Sequence, residues 1–230
     1  MGAIREKGLL VSLTVDEPSR ADDRRPPLVT RLSLVVHIGD SLFPGGRPMG
    51  AVSVSLLPGG QGPIYNLSGA PCFLDLPAGA YQLVIEGEHY FLESQSVTLP
   101  LGDLLHPLLE VQLMPLPSYP FPPGTTLVRG MVHENPDTPV AGAGVKVPGQ
   151  GVQTRTTNRG EFALAWPPLP SSRVIVERQD GVTRRYVQND HGEKELRVEI
   201  THPDYQQEVV TIAELEEGTM LNLGYITVTR

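Results

Sequence analysis

The sequence predicts an all-β protein, and three observations lead to that prediction. The 24 glycines and 23 prolines make up about a fifth of the 230 residues, and proline destabilises a helix interior by about 3 kcal/mol. Apolar and polar residues alternate over short runs, which is the two-residue period of a half-buried strand. Turn-forming clusters such as Pro58-Gly59-Gly60 separate these runs at roughly ten-residue intervals, a spacing typical of sandwiches and small barrels.

The length of the chain suits two domains of roughly 100 residues each. Residues 1–31 are predicted to be an N-terminal strand, Leu9–Val15, followed by a polar arm, Asp16–Pro27. Residues 32–114 form a first β-sandwich, and residues 115–124 form a linker whose five prolines keep it extended and stiff. Residues 125–230 form a second β-sandwich.

The strands of each sandwich are predicted from the alternating runs. In the first sandwich they are Leu32–Ile38, Ala51–Leu57, Cys72–Leu76, Tyr81–Glu86, Ser96–Leu99 and Leu109–Met114. In the second they are Thr126–His133, Gly144–Val147, Gln153–Thr156, Glu161–Ala165, Arg173–Arg178, Arg184–Gln188, Glu195–Thr201, Gln207–Thr211 and Leu221–Thr227.

An internal repeat supports two similar modules. Residues Arg47–Val54 and Thr138–Val147 both contain a proline, then small residues, then alternating valines. Two copies about 90 residues apart indicate tandem modules.

The second copy resembles a known family. The segments that carry the resemblance are Val128–Val132, Thr138–Val147 and Thr156–Leu164, and they are similar to the carboxypeptidase regulatory-like domain. The resemblance is clearest over residues 126–229 and weaker over 30–115. It implies two tandem transthyretin-like or immunoglobulin-like sandwiches, and an accessory module without catalysis. His202-Pro203-Asp204-Tyr205 departs from the family pattern, because a glycine normally precedes that tyrosine.

The same segments predict which side chains enter the second core. Val145 and Val147 share one face of their strand, and Lys146 lies on the other. Gly160 is expected in a tight hairpin turn, after which Phe162 enters the core.

Composition and charge argue against several classes of protein. With 26 acidic and 18 basic residues the formal net charge is −8, which disfavours nucleic acid as a partner. No run approaches the ~18 apolar residues of a membrane-spanning helix, so no membrane insertion is expected. The N-terminus lacks the apolar region of a secretory signal, so the expected location is the cytoplasm, with release in a particle left open.

No residue is predicted to be catalytic, to bind a cofactor or to bind a metal, and the chain is not expected to be an enzyme. The six histidines lie at no metal-ligand spacing, and His202 is expected in an exposed turn. Cys72, the single cysteine, is expected to be a buried structural thiol. Four acidic residues suggest a calcium site, but a solvated turn is favoured; they are Asp180, Asp190, Glu193 and Glu195.

The distribution of charge is the most informative anomaly. Residues 32–128 contain eight charged residues and residues 129–230 contain 25. Free sandwiches normally carry charged edges and faces, whereas the core of a protein interface is depleted of charge. A neutral surface that is simply soluble is the alternative.

The functional prediction is a structural or adaptor subunit of a large multiprotein assembly, with the first sandwich as docking interface. Phage-tail-like particles and contractile injection machines are assemblies in which such tandem modules recur, which is an analogy of fold. The partners are other protein subunits, and association with copies of the same chain is left open. The alternative is a carbohydrate- or surface-binding accessory module. Its candidate aromatic residues are Trp166, Tyr119, Phe121 and Tyr65.

Overall fold

The computed structural model describes residues 30–59, 62–103 and 105–230. The predicted strand Leu9–Val15 and the arm Asp16–Pro27 lie outside these residues. The all-β prediction is confirmed: the described chain consists of strands and turns, with a single 3-10 turn at Ser171–Arg173. Within this part of the chain no helix is long and apolar enough to cross a membrane.

The first sandwich has seven strands in two sheets. They are β1 (Leu32–Asp40), β2 (Val52–Leu57), β3 (Ile64–Tyr65), β4 (Pro71–Leu74), β5 (Gly79–Gly87), β6 (Glu93–Leu99) and β7 (Leu108–Leu113). One sheet has the order β3-β4-β1-β7 and the other β2-β5-β6. Each sheet buries one face, as the alternation predicts: Leu34 and Phe73 from the first sheet and Leu83 and Ile85 from the second are 2% exposed or less.

The second sandwich contains the remaining strands. They are β8 (Leu127–Asn135), β9 (Thr138–Pro139), β10 (Gly144–Val147), β11 (Val152–Arg155), β12 (Glu161–Ala165), β13 (Val174–Gln179), β14 (Val182–Val187), β15 (Leu196–His202), β16 (Tyr205–Ile212) and β17 (Met220–Thr227). Its sheets have the orders β11-β10-β15-β16 and β12-β8-β17, with β9 beside β8 and a separate β13-β14 hairpin.

The core of the second sandwich follows the predicted side-chain pattern. Val145 and Val147 are buried in a single apolar cluster with Phe162, while Lys146 faces outward and pairs with Glu199 at 3.1 Å. Phe162 is 1% exposed, and its ring lies so close to Gly130 on the neighbouring strand that a Cβ there would be 2.8 Å away. A residue with a side chain at position 130 would therefore displace this ring.

The turn at Gly160 differs from the predicted hairpin. Gly160 has a φ of +78°, as a tight turn requires, and its N–H donates to the carbonyl of Thr157. However, β11 and β12 on either side of this turn belong to different sheets. The turn therefore carries the chain from one sheet of the sandwich to the other.

The described chain separates into two compact units. The first comprises the described residues up to Ile38 together with Ser53–Ile85 and Glu93–Val111, and the second comprises Gly39–Val52, Glu86–Leu92 and Gln112–Arg230. The proline-rich segment 115–124 belongs to the second unit. The domain boundary at that segment stays a prediction of the sequence.

A buried carboxylate joins the separate segments of the second unit. Asp40 is 1% exposed, and its Oδ2 accepts hydrogen bonds from the hydroxyls of Tyr90 and Tyr119, both at 2.7 Å. Its Oδ1 accepts from the N–H of Leu42 at 2.8 Å, and the Tyr90 hydroxyl accepts from the N–H of Met49 at 2.8 Å. The desolvation of a buried charge is thus offset by three hydrogen bonds to the carboxylate.

Candidate functional site

The first unit contains an uncharged segment with exposed apolar side chains. No charged residue lies between Arg47 and Asp75 in the sequence. Within this stretch Leu57, Ile64 and Tyr65 are more than half exposed, and Leu67 is fully exposed. We call these four residues the 57–67 segment. Exposed apolar side chains are ordinary when scattered singly, but here they are concentrated in a stretch that has no charge.

The turn that carries Leu67 is held by its own hydrogen bonds. The Asn66 side-chain oxygen accepts from the N–H of Ser68 at 3.0 Å, from the Ser68 hydroxyl at 2.7 Å and from the N–H of Ala70 at 2.8 Å. The Asn66 carbonyl accepts from the N–H of Gly69 at 2.9 Å. Leu67 is therefore presented to solvent from a fixed backbone, which lowers the entropy lost when it is buried in a contact.

Strand β3, which precedes this turn, is the edge of its sheet. Among residues 30–59, 62–103 and 105–230 it pairs only with β4, through Ile64 opposite Cys72 and Tyr65 opposite Pro71. Charged residues commonly protect exposed edges against pairing with another chain, and this edge has none. Its two residues offer few backbone hydrogen bonds, so side chains would supply most of any contact.

The second unit contains a shallow cavity on the outer face of the β12-β8-β17 sheet. Its volume is about 260 Å³, and the residues around it include Pro117, Arg129, Met131, Glu161, Asn222 and Tyr225. Arg129 lies opposite Ala163 on one neighbouring strand and Asn222 on the other, while Met131 lies between Glu161 and Tyr225. Strand register therefore places a cation, a carboxylate, an amide and a phenol around one depression.

Arg129 is held by packing, and its charge has no partner in the described part of the chain. Its guanidinium lies 5.5 Å from the centre of the Phe121 ring, a cation–π contact. The Arg129 Nε is buried without a hydrogen-bond partner among those residues. Glu161 lines the same cavity, yet no ion pair joins the two among the described residues. The two opposite charges are available to a third group.

Tyr225 is the aromatic side chain of the cavity, and a bulge turns it outward. Gly224 has a φ of +67°, and the pairing of β17 with β8 shifts between Asn222 and Tyr225. The shift adds one residue to β17 relative to β8, which reverses the alternation of side chains beyond it. Tyr225 therefore faces outward, as Asn222 does, while Ile226 is buried. Tyr225 is 71% exposed, and its ring packs edge-on against buried His133 with 5.0 Å between ring centres.

The aromatic residues singled out from the sequence have different positions. Trp166 and Tyr119 are buried, at 2% and 3% exposure, and Phe121 is half-buried beneath Arg129. Tyr65 is exposed on β3. The sequence-based interpretation did not select Tyr225, although the glycine before it, inside a strand pattern, is the usual mark of a bulge.

The other residues considered from the sequence form no site in the described chain. Cys72 is buried, as predicted, and loss of solvation raises the pKa of its thiol. Asp190 pairs with Arg173 at 2.8 Å, and no three acidic, histidine or cysteine side chains gather to hold a metal in residues 30–59, 62–103 and 105–230. His202 is not in an exposed turn: it ends β15, half-buried, and its Nδ1 accepts from the N–H of Asp204 because the chain reverses there.

Comparison with known proteins gives only weak structural likenesses. No protein-family model and no curated protein matches the chain. The Bacillus anthracis TIE protein has 11% identity and a TM-score of 0.29, over 87% of this chain and 34% of that chain. A streptococcal ancillary pilin has 12% identity and a TM-score of 0.30, over 90% of this chain and 64% of that chain.

A third solved structure is a double mutant of the shaft pilin SpaA from Lactobacillus rhamnosus GG. It has 11% identity and a TM-score of 0.22, over 87% of this chain and 96% of that chain. The chain thus spans about a third of the first of these structures and under two thirds of the second. At such scores the likenesses carry no argument about function. The resemblance to the carboxypeptidase regulatory-like domain stays a prediction.

Proposed function

We propose that the protein is a non-catalytic structural or adaptor subunit of a multiprotein assembly, which docks through the first sandwich. The observation that carries this proposal is the 57–67 segment, where four exposed apolar side chains lie in a stretch without charge. Depletion of charge together with exposed leucine, isoleucine and tyrosine is the composition of an interface core.

The proposed partner is another protein subunit with a neutral, apolar surface. A charged surface would lose solvation against the 57–67 segment and gain no ion pair in return. Burial of exposed apolar area gains roughly 25 cal/mol per Å², so four large side chains supply a useful part of the association energy. With a net charge of −8, nucleic acid is not the proposed partner.

The finer features of the proposal come from the sequence alone. We place synthesis in the cytoplasm, without insertion into a membrane, and we regard a phage-tail-like or contractile injection particle as one example of such an assembly. A homo-oligomer is the outcome in which the partner is a second copy of the chain.

The experiment compares partner recovery by the intact chain and by matched variants. Affinity-tagged full-length protein is purified from the cells that produce it, and the copurifying proteins are quantified by mass spectrometry. Leu67→Asp places a charge on the docking segment without touching the fold, because Leu67 is fully exposed. Val176→Asp is the control, since Val176 is also an exposed apolar residue but lies on the β13-β14 hairpin.

We expect a defined protein to copurify with the wild type and with Val176→Asp, and its recovery to fall about tenfold with Leu67→Asp, which corresponds to about 1.4 kcal/mol. Equal recovery with both variants would place the interface elsewhere. Absence of any stoichiometric partner or self-association would contradict the assembly role itself.

A further inference from the structure

We propose that the cavity on the β12-β8-β17 sheet binds one neutral sugar unit of a glycan. This site consists only of residues of the second unit and does not depend on the proposed docking segment. Three features of the cavity lead to this ligand class: the paired donors and acceptor, the exposed aromatic ring, and the size of the depression.

The polar groups of the cavity match adjacent hydroxyl groups. Arg129 brings the terminal N–H donors of its guanidinium group, because its Nε is buried. The side-chain oxygen of Asn222 already accepts a hydrogen bond from the N–H of Gly224 at 2.9 Å. The amide nitrogen of Asn222 is therefore the group that can donate to a ligand. Glu161 supplies the acceptor, since it receives only a 3.4 Å contact from the Thr157 hydroxyl. A hydroxyl group both accepts and donates hydrogen bonds, so neighbouring hydroxyls can accept from Arg129 and Asn222 and donate to Glu161.

The charges in the cavity argue against simple ions. An anion that pairs with Arg129 would approach the carboxylate of Glu161, and a cation that pairs with Glu161 would approach the guanidinium of Arg129. A neutral ligand with both donors and acceptors has neither penalty. Bonds to charged groups are stronger than neutral ones, so two or three of them provide orientation as well as affinity.

Tyr225 provides a flat apolar surface beside these polar groups. Its ring is 71% exposed and is supported from behind by the edge-on contact with His133. The C–H face of a sugar ring packs on such an aromatic face while its hydroxyls point sideways. Pro117 and Met131, which also line the cavity, add further apolar surface.

The size of the cavity fits one sugar unit. Its volume of about 260 Å³ lies just below the ~300–1,000 Å³ of pockets that hold drug-sized ligands. It is shallow and open, so the neighbouring units of a glycan chain have room to extend into solvent. Affinity per site is accordingly expected in the weak range of about 0.1–1 mM.

The experiment uses the full-length protein and defined sugars. Binding to a printed array of oligosaccharides identifies the preferred terminal sugar, and its methyl glycoside is then titrated by isothermal calorimetry. Two variants remove separate parts of the site: Tyr225→Ala removes the aromatic surface, and Glu161→Gln removes the charge of the acceptor. Met220→Ala is the control, because Met220 is 61% exposed on the same strand outside the cavity.

We expect Tyr225→Ala to weaken binding about tenfold and Glu161→Gln to weaken it several-fold, while Met220→Ala leaves it unchanged. Circular dichroism and the midpoint of thermal unfolding verify that all three variants remain folded. The proposal is overturned if no sugar binds at millimolar concentration. It is equally overturned if binding survives in both site variants, or if Met220→Ala weakens it as much as they do.

Discussion

Tyr119 donates its phenolic hydrogen to Oδ2 of Asp40 over 2.7 Å, although the two residues are 79 positions apart in the sequence. The bond attaches the proline-rich segment to the end of β1. Tyr90 donates to the same oxygen atom, so one carboxylate positions two aromatic rings whose centres lie 5.6 Å apart.

Asp40→Asn is expected to destabilise the protein by about 3 kcal/mol. The substitution removes the charge that strengthens both tyrosine hydrogen bonds, and it buries an amide whose N–H groups have no acceptor there. Urea-induced unfolding measures the change. Glu110→Gln is the control, because Glu110 is exposed on β7, and its effect should stay within about 0.5 kcal/mol. Equal effects of the two substitutions would contradict a stabilising role of the cluster.

Alkaline pH is expected to destabilise the folded state through Tyr90. The main cause is loss of solvation on burial, and the negative charge of Asp40 acts in the same direction. Together they raise the pKa of Tyr90 to about 12. An unfolded tyrosine has a pKa of about 10, so the stabilisation is fully present below that pH and is lost as the pH rises towards 12. The pKa of Tyr119 is raised in the same direction and for the same reasons.

The measurement is the free energy of unfolding as a function of pH from 8 to 12. Tyr90→Phe cannot ionise at this position, so its stability should fall less steeply across this range than that of the wild type. Parallel curves for the two proteins would mean that Tyr90 does not ionise on unfolding in the way described.

Gly160→Ala is expected to destabilise the second sandwich by more than 2 kcal/mol. The residue has a φ of +78°, and an added Cβ would overlap the carbonyl oxygen of Val132. Gly151→Ala isolates the conformational cost, because Gly151 has a φ of +67° and open space around its Cβ position. That cost is about 1 kcal/mol. The comparison uses thermal unfolding of both variants, and similar losses at the two positions would contradict the steric argument.

Association through the 57–67 segment is expected to persist at high salt. Apolar contacts are not screened, whereas ion pairs weaken as the Debye length falls from about 10 Å at 0.1 M to about 3 Å at 1 M salt. The partner recovered with the full-length chain should therefore remain bound in 1 M sodium chloride. Loss of the complex at that concentration would indicate an electrostatic interface. The full-length chain is used because a cut in the proline-rich segment before Tyr119 would separate Asp40 from Tyr119.

Local alternation of side chains was sufficient to predict most strands. Each strand predicted within the described residues coincides with an observed strand, to within a few residues at its ends, because one buried face imposes the two-residue period. The predicted strand Leu9–Val15 lies outside those residues and stays a prediction. Strands β3 and β9 were not predicted, since two residues are too few to show a period. The connection at Gly160 was misassigned as a hairpin because the sequence does not indicate which sheet a strand joins.

The candidate sites were predictable only in part. The small number of charged residues over 32–128 can be counted in the sequence, and it led to the prediction of the first sandwich as a docking surface. The cavity was not predicted, because the bulge at Gly224 changes which face Tyr225 occupies. Strict alternation would have placed Tyr225 with Leu221 and Leu223 towards the core. The burial of Tyr119 depends on a long-range bond to Asp40, which no local pattern contains.

The pairing of β17 with β8 has a consequence for how the protein is made. The two strands run parallel, with Met220 beside Leu127 and Thr227 beside His133, so β8 lies in the interior of its sheet only after β17 has joined it. During translation β8 leaves the ribosome long before β17 does. Until the later strand emerges, one edge of β8 stays open to pairing with other nascent chains, and the sandwich cannot close. The rate of synthesis between these two strands therefore determines how long that aggregation-prone edge is exposed.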